Sequence, residues 1–172
     1  MVAAHLLRSD MHITSWNINS VRARMGQLQS WLQQNKPDIL CLQELKCTDE
    51  QFPEELRAST GFNWIVKGQK SYNGVAIGSR HPIELLNDTL PDDPDTSQSR
   101  FLDTLVTLPD GKTLRVVNIY APNGNPFPGD KFTYKCAWNK QLGHVATEML
   151  SEELLGIILG DFNIIPTPKD CF

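Results

Sequence analysis

The sequence feature that most constrains the fold is an apolar run that leads directly into Gly160-Asp161-Phe162-Asn163. Residues 154–159 read Leu-Leu-Gly-Ile-Ile-Leu, and such a short apolar run predicts a buried β-strand. Side chains two positions apart on a strand point the same way. Asp161 and Asn163 are therefore expected to face one spot at the strand end, while Phe162 faces the core. Such a pair of oxygen-bearing side chains suits a magnesium-like ion or a phosphate group.

The length and charge of the chain limit the classes of function that fit it. Its 172 residues suffice for about one domain, and an apolar fraction of 40% can fill a sizeable core. The net charge of −4 argues mildly against a DNA partner, because nucleic-acid binders usually carry a basic excess. A DNA partner stays open, since a basic groove can lie on an acidic protein and a bound divalent cation adds positive charge. No stretch has the apolar length of a membrane span.

The cysteines and the N-terminal residues predict a cytoplasmic location. The cysteines are Cys41, Cys47, Cys136 and Cys171. They lack the two-residue spacing of a zinc or redox motif, so we expect free thiols in a reducing compartment. Residues 1–10 hold too short an apolar region for a signal peptide and are predicted to be an unstructured extension. Residues 11–172 are predicted to form the folded domain.

Hydrophobic spacing predicts an α/β domain with a mostly antiparallel sheet. Predicted strands at residues 12–18 and 38–43 flank a helix that Ser20 caps, and this order is typical of parallel strands joined by a crossover. Turn residues 109–112 predict a hairpin. The other predicted strands are residues 62–68, 73–79, 83–86, 100–108, 113–120 and 155–162, the other helices residues 48–58 and 131–150, and the loops residues 91–99 and 121–129. The first of these loops is rich in aspartate, and its spacing favours a solvated acidic loop over a calcium loop.

Polar side chains end four of the predicted strands. They are Asn17, Glu44, Tyr120 and the pair Asp161 and Asn163. If these ends converge, two carboxylates and several neutral groups line one pocket, which suits magnesium and phosphodiester hydrolysis better than zinc. Each residue also has a structural interpretation: turn chemistry for Asn17, pairing with Lys46 for Glu44, packing for Tyr120, and a plain turn for the last pair. The functional interpretation depends on their joint occurrence.

Two further features allow a nucleic-acid contact. The sequence Ser71-Tyr72-Asn73-Gly74 predicts a hairpin turn, which could also present Tyr72 or a backbone amide to a nucleic-acid backbone. Arg100 follows a polar loop and could bind a phosphate through its planar guanidinium, or form an ion pair with the acidic loop.

Five motifs in register resemble one family. They are Ser15-Trp16-Asn17-Ile18-Asn19, Leu42-Gln43-Glu44-Leu45-Lys46, Gly68-Gln69-Lys70 with Tyr72-Asn73-Gly74-Val75-Ala76, Asn118-Ile119-Tyr120-Ala121-Pro122-Asn123-Gly124, and Gly160-Asp161-Phe162-Asn163-Ile164. Their order and spacing resemble the exonuclease III and abasic-site endonuclease branch of the endonuclease/exonuclease/phosphatase superfamily. The resemblance implies an incomplete four-layer α/β sandwich of the deoxyribonuclease I type, with mixed, mostly antiparallel sheets flanked by helices. It also implies magnesium-dependent hydrolysis, with manganese as a possible substitute, of double-stranded DNA at abasic sites or 3′ ends in base-excision repair.

The resemblance also implies roles for single residues. Asn17 and Glu44 would help to bind metal. Asp161 would bind metal and orient or deprotonate the attacking water, and Asn163 would hold the phosphate or a metal-bound water. Tyr120 would hydrogen-bond the phosphate or take part in proton transfer. The residues expected at the DNA are Arg100, Tyr72, Asn73 and Asn123.

The sequence departs from the family in its extent. Members continue past the position of Phe172 with an Asp-His pair and the rest of the second sheet, so the chain matches an N-terminal portion. Loss of one acid–base group typically costs ~10²–10⁴ in rate, so weak or no activity is expected unless a separate C-terminal half completes the site. The alternatives are a non-catalytic remnant that binds metal or a partner chain, and another phosphoesterase of the same superfamily.

Overall fold

The computed structural model describes residues 11–167 and 169. In chain order the elements are β1 (Ile13–Asn17), α1 (Met25–Asn35), β2 (Ile39–Gln43), α2 (Glu54–Ser59), β3 (Asn63–Lys67), β4 (Val75–Ser79), β5 (Ile83–Asn87), β6 (Phe101–Thr107), β7 (Thr113–Tyr120), α3 (Asp130–Ser151) and β8 (Leu155–Asp161). The predicted extension at residues 1–10 and Cys171 lie outside the described residues.

The strands form two four-stranded sheets. The first sheet has the order β1-β2-β4-β3, and the second has the order β5-β6-β7-β8. Each sheet contains one parallel pair, β1 with β2 and β7 with β8, and its other pairs are antiparallel. The predicted parallel crossover and the predicted hairpin between β6 and β7 are therefore both confirmed.

Alternation along the strands explains why the sheets stack into four layers. In β2, Ile39 and Cys41 point between the sheets, whereas Leu40 and Leu42 pack outward against α1 and α2. In the second sheet, the outward face packs against Trp138, Leu142 and Val145 of α3. The order is thus helices, sheet, sheet, helix, which confirms the predicted four-layer α/β sandwich of the deoxyribonuclease I type.

Two helices begin later than predicted. The helix α1 begins at Met25, because a separate turn at residues 21–24 precedes it, and the Ser20 hydroxyl accepts a hydrogen bond from the Ala23 N–H at 3.4 Å within that turn. Thr48 and Gln51 also form a turn, in which the Thr48 N–H donates to the Gln51 side chain at 3.4 Å, and α2 begins only at Glu54. Both capping signals are real, but they stabilise turns.

The prediction that Phe162 faces the core is wrong. The strand β8 ends at Asp161, and Asn163 has a positive φ of 49°, so strand alternation stops before Phe162. Phe162 is 40% exposed. The predicted hairpin between β3 and β4 is present, and its connection of residues 68–74 is longer than a two-residue turn.

One buried amide joins the two sheets. Asn118 of β7 is fully buried and points between the sheets. Its Nδ2 donates to the backbone oxygens of Leu42 at 3.0 Å and Ala76 at 2.9 Å, and its Oδ1 accepts from Gln43 Nε2 at 2.7 Å. These bonds link β7 to β2 and β4, so the sheets are held together by polar contacts as well as by apolar packing.

A buried ion pair holds the far end of the second sheet. Arg115 of β7 donates to both carboxylate oxygens of Asp103, at 3.1 and 2.7 Å, and to Glu152 at 2.7 Å. Because Glu152 lies between α3 and β8, this network ties the start of β8 to the sheet.

Two smaller predictions concern the cysteines and the membrane. Cys41 and Cys47 are buried free thiols, and Cys136 is an exposed one. Within the described part of the chain, no helix combines the length and apolar character needed to cross a bilayer.

Candidate active site

The polar strand ends meet at one end of the sandwich. Asn17 at the end of β1 donates through Nδ2 to Glu44 Oε1 and to Asp161 Oδ2, each at 2.8 Å. Glu44 follows β2 in the first sheet, and Asp161 ends β8 in the second. One amide group therefore brings together two carboxylates that are 117 positions apart in sequence (161 − 44).

Backbone hydrogen bonds fix the position of Glu44. Its carbonyl accepts from the Ser20 N–H at 2.7 Å, and the next residue, Leu45, donates to Gly74 at 3.1 Å. Glu44 itself has a φ of 56°, a left-handed conformation that is uncommon for a residue with a Cβ. The loop after β2 is thus held in a strained shape that presents the carboxylate, as is common at functional sites.

The charge of Glu44 is stabilised by its neighbours. Lys46 Nζ lies 2.9 Å from Glu44 Oε2, so the pairing considered from sequence exists within the site. Partial burial alone would raise the pKa of Glu44, but hydrogen bonds from Asn17, Lys46 and Tyr120, together with the Lys46 charge, bring the pKa below its ordinary value. Glu44 is therefore ionised at neutral pH and can attract a cation.

Tyr120 lies beside Glu44 at the end of β7. Burial and the interaction with the Glu44 carboxylate raise the pKa of Tyr120 to about 12, so the hydroxyl keeps its proton at neutral pH. The Arg100 guanidinium lies over the Tyr120 ring at 4.9 Å, and Arg100 also donates to the Tyr120 carbonyl at 3.1 Å. Arg100 thus lies beside Tyr120, and it also donates to Gln98 of the acidic loop at 2.7 Å, so its contact with DNA stays a prediction.

That acidic loop is partly anchored. Asp93 accepts hydrogen bonds from Trp138 at 3.1 Å and from the Tyr134 hydroxyl at 3.4 Å, which ties the loop to α3. Within the described residues, no group of three or more His, Cys, Asp or Glu side chains could hold a metal ion, here or elsewhere.

The turn after β8 supports Asp161. The Asn163 N–H donates to Asp161 Oδ1 at 2.9 Å, and the Asn163 side chain donates to the Ala121 carbonyl at 2.7 Å. Lys135 of α3 donates to the Asn163 carbonyl. A turn does form here, as one interpretation predicted, and it orients the Asp161 carboxylate.

A groove of about 700 Å³ runs from Asp161 along this turn. It is lined by Asn123, Asn125, Asp161, Asn163 and neighbouring residues up to Pro166. Asn123 was singled out from sequence, and the structure places it in the groove.

The other two residues assigned to DNA are placed differently. Tyr72 is 70% exposed on the loop between β3 and β4. Asn73 is 8% exposed, bonds through Nδ2 to Gln69 at 2.9 Å, and accepts from the Lys46 N–H at 3.0 Å. The structure thus engages Asn73 in shaping the loop that carries Lys46, and its contact with DNA stays a prediction.

Sequence reasoning considered Lys46 as a partner of Glu44 but assigned no role to Asn19 or Gln43. Lys46 contacts Asn19 as well as Glu44, and Gln43 is buried against Asn118 and Ser15. The repeated spacing in Asn17-Ile18-Asn19 hinted at Asn19. The role of Gln43 had no local signal, because its partner Asn118 lies 75 positions away.

The donor set fits a hard divalent cation. Magnesium is usually held by one or two carboxylates and several waters, and Glu44 and Asp161 supply that number. Asn17 faces the two carboxylates with its amide nitrogen, while its oxygen accepts from the Asn19 N–H at 3.1 Å. The prediction that Asn17 is itself a ligand would need its oxygen in that place, so it stays a prediction.

Comparison with known proteins gives a family match that extends over most of the chain. The sequence model of the endonuclease/exonuclease/phosphatase family matches residues 14–172. Exodeoxyribonuclease III of Haemophilus influenzae is 31% identical over 161 residues, which cover 93% of this chain and 60% of that protein.

Solved structures of other proteins also match the fold of this chain. A 3′ phosphatase, NExo, from Neisseria, bound to a product DNA hairpin, is 40% identical with a TM-score of 0.78, over 94% of this chain and 61% of that one. An AP endonuclease from Archaeoglobus fulgidus is 32% identical with a TM-score of 0.81, over 92% of this chain and 59% of that one. The chain therefore spans about three fifths of the length of these relatives.

Proposed function

Because the chain belongs to the endonuclease/exonuclease/phosphatase family, we propose that it hydrolyses phosphodiester bonds of double-stranded DNA at abasic sites or 3′ ends, as in base-excision repair. The supporting observation is the bridge from Asn17 to Glu44 and Asp161, two carboxylates from opposite sheets held at one point. Two carboxylates held close together against their repulsion are typical of a site that binds a cation.

The cofactor in this proposal is Mg²⁺, with Mn²⁺ as a substitute. Glu44 and Asp161 would hold it, with Asn17 and Asn163 as the predicted neutral ligands. When bound, such a cation stabilises negative charge on a phosphate and lowers the pKa of a bound water. The lowered pKa of Glu44 supports this assignment, because only the ionised carboxylate binds metal.

The surrounding residues have distinct roles in the proposal. Asp161 orients the attacking water or takes its proton, and the Asn163 N–H holds the carboxylate in place. Tyr120 donates a hydrogen bond to a phosphate oxygen. A pKa of about 12 favours this role over proton transfer, because the hydroxyl keeps its proton at neutral pH. Arg100, stacked on Tyr120, supplies a positive charge to the same phosphate.

The DNA would extend from this centre in two directions. Asn123 lines the groove beside Asp161, and Tyr72 is exposed on the loop after β3. Asn73 would act through the shape of that loop. We propose that the reaction takes place in the cytoplasm, consistent with the free thiols of the described residues.

The proposed catalytic centre requires residues in addition to those described above. The relatives are longer than this chain, and large apolar side chains lie exposed around β8, among them Leu155 at 58% and Ile165 at 63%. We propose that a C-terminal part like that of the longer relatives completes the catalytic centre and covers this surface. A chain alone would then show weak nicking or none.

The test is a nicking assay on an abasic-site duplex with magnesium. The purified chain is assayed alone and after co-expression with the C-terminal two fifths of the Neisseria relative. We expect nicking to rise strongly in the second case, and Asp161→Asn to lower it by about 10²–10⁴-fold because it removes the acid–base group. A mixture that stays inactive, while its circular dichroism shows both parts folded, would contradict the proposal and favour the non-catalytic remnant.

A binding test addresses the cofactor separately. Glu44→Gln should weaken Mg²⁺ binding to the chain in titration calorimetry, because it removes one of two carboxylates. Glu84→Gln is the matched control, since Glu84 is exposed on β5 at the opposite edge of the second sheet. Equal affinities for the Glu44 variant and the unchanged chain would remove Glu44 from the metal site.

A second candidate function is hydrolysis of a 3′ phosphate on DNA. The observation that favours it is the 40% identity to the Neisseria 3′ phosphatase. The same groups could act on a terminal phosphate, so the nicking assay should be run beside release of phosphate from a 3′-phosphorylated duplex. An inositol phosphate serves as the substrate for the remaining alternative, a phosphoesterase that does not act on DNA.

A further inference from the structure

The acidic loop that precedes β6 is anchored at both of its ends. Asp93 accepts a hydrogen bond from the Trp138 indole at 3.1 Å, which fixes the start of the loop to α3. Ser99, at the end of the loop, is buried, and its hydroxyl donates to the Gly68 carbonyl at 2.9 Å. The segment between these two anchors is therefore held in place beside the start of β6.

One chain of hydrogen bonds leads from this segment to Arg100. The Gln98 side chain donates through Nε2 to Asp95 Oδ2 at 2.6 Å, and its Oε1 accepts from Arg100 Nε at 2.7 Å. Hydrogen bonds from Gln98 and Ser97 lower the pKa of Asp95, so its carboxylate is ionised at neutral pH and can only accept. The amide oxygen of Gln98 is thereby directed to Arg100. Each of the two bonds has one charged partner, which strengthens it.

The contacts continue from Arg100 to the candidate site. The guanidinium lies over the Tyr120 ring at 4.9 Å, and Nη1 donates to the Tyr120 carbonyl at 3.1 Å. Tyr120 in turn hydrogen-bonds to Glu44. Among the described residues, Gln98 and Tyr120 engage two of the five N–H groups of the guanidinium, and the others can bind an anion.

We propose that Gln98, itself held by Asp95, is a positioning residue that keeps the Arg100 guanidinium on the Tyr120 ring, ready to bind a phosphate of DNA. The phosphate part of this inference rests on the proposed function, whereas the positioning of Arg100 does not. An arginine side chain has many rotamers, and ordering it before the ligand arrives removes part of the entropy cost of binding. The loop thus supports DNA binding although its own charge repels DNA.

The first test observes Arg100 directly, in the chain without DNA. Its Nε–H signal is assigned in a nitrogen–proton NMR spectrum by its loss in Arg100→Ala. Gln98→Met keeps the length of the side chain but removes the acceptor, so this N–H should exchange faster with water and lose its shift from the Tyr120 ring. Gln33→Met is the matched control, since Gln33 is exposed on α1, which leads to the start of β2 and not to its end. An unchanged signal in Gln98→Met would overturn the proposal.

The second test measures DNA binding to the chain in EDTA, so that hydrolysis cannot consume the probe. The probe is a fluorescent duplex with one abasic site, followed by fluorescence anisotropy. Gln98→Met should weaken binding by about 2- to 10-fold, the range for one side chain that must become ordered on binding. Gln33→Met should leave the affinity unchanged. In the Arg100→Ala background, Gln98→Met should have no further effect, because a positioning residue acts only through the group that it holds.

The outcomes distinguish the two proposals. If the duplex binds but Gln98→Met leaves its affinity unchanged, or weakens it equally with and without Arg100, the positioning proposal is wrong and the proposed function stands. If the duplex does not bind, the proposed function fails together with the phosphate part of the inference, and the NMR result still decides whether Gln98 holds Arg100. Circular dichroism checks that each variant is folded.

Discussion

The chain that leaves β1 and the chain that leaves β8 serve the same site with different support. Both strands run parallel to one neighbour, and they end in Asn17 and Asp161. After β1, Ile18 and Val21 are fully buried, and both donate backbone hydrogen bonds to the chain at the end of β2.

After β8, by contrast, the side chains are largely exposed. Phe162, Ile164 and Ile165 expose 40%, 57% and 63% of their surface, and the side chain of Asn163 is the main tie to the loop after β7. The two ends thus show that a site can combine one half fixed by the core with one half fixed by a few specific contacts. The position of Asp161 should be the easier one to disturb.

The largest effect is expected from Gly160→Ala. Gly160 has a φ of +135°, and an added Cβ would overlap the Ile119 carbonyl of the neighbouring strand and lie 2.8 Å from the Ile119 nitrogen. Since backbone cannot move aside without breaking the pairing of β7 and β8, we expect a loss of more than about 4 kcal/mol in the free energy of unfolding. Urea denaturation measures it.

Gly156→Ala in the same strand is the control. Its added Cβ would approach the flexible end of Met149 to 2.7 Å, which can rotate away, and would lie at ordinary contact distance from Arg115. A loss as large as that of Gly160→Ala would mean that any side chain added to β8 is harmful, and the importance given to the end of the strand would be wrong.

The next effect concerns the start of β8. Asp103→Ala would leave the buried Arg115 with only part of its network, and breaking a buried pair by removing one partner costs about 3–5 kcal/mol. The exposed pair of Asp110 and Lys112 gives the comparison, because Asp110→Ala should leave the free energy of unfolding almost unchanged. Thermal unfolding of both variants measures the difference. Equal losses of stability would show that burial does not make the pair of Arg115 and Asp103 more important than the exposed pair.

A smaller loss is expected at the junction of the sheets. Asn118→Ala would leave the carbonyls of Leu42 and Ala76 and the Gln43 amide without their buried partner, at a cost of about 2–3 kcal/mol. Because both halves of the site depend on this junction, Mg²⁺ affinity should fall as well. Unchanged stability in urea would show that the sheets are held by apolar packing alone.

The smallest expected effect is a shift in the pKa of Glu44. Lys46→Ala removes the cation 2.9 Å from Glu44, so the pKa of Glu44 should rise towards its ordinary value, as followed by carbon NMR of the carboxylate. A carboxylate with a lowered pKa in the folded state adds stability above its unfolded pKa, and this is lost as the pH falls through the folded pKa. The variant should therefore be less stable at pH 7, by less than about 1 kcal/mol, and match the unchanged chain in acid.

An unmoved Glu44 titration in Lys46→Ala would assign the lowered pKa to Asn17 and Tyr120 instead. In that case the Glu44 carboxylate would be supported by Asn17 of its own sheet and by Tyr120 of the second sheet. The contrast between the two ends of the site would then be weaker than the exposed surfaces suggest.

Local sequence patterns were sufficient to predict the helices and strands and to predict which strand ends lie at the site. Alternation predicted the strands to within a few residues, and polar strand ends predicted that Glu44 and Asp161 would meet. Local patterns failed where a partner is distant. The burial of Gln43 depends on Asn118 in another sheet, and the exposure of Phe162 depends on where pairing with β7 stops. The roles of the site residues in catalysis stay predictions.

Each sheet sends two neighbouring parallel strands to the same end of the sandwich. Asn17 of the first sheet donates to Glu44 of its own sheet and across the gap to Asp161 of the second, each at 2.8 Å. A slide of one sheet over the other by about 1 Å would take one of these bonds beyond its working length. Pairing inside either sheet would not change. If the proposed cation site is correct, its affinity would therefore depend on the rigid-body offset of two stacked sheets, which secondary-structure probes such as circular dichroism do not detect.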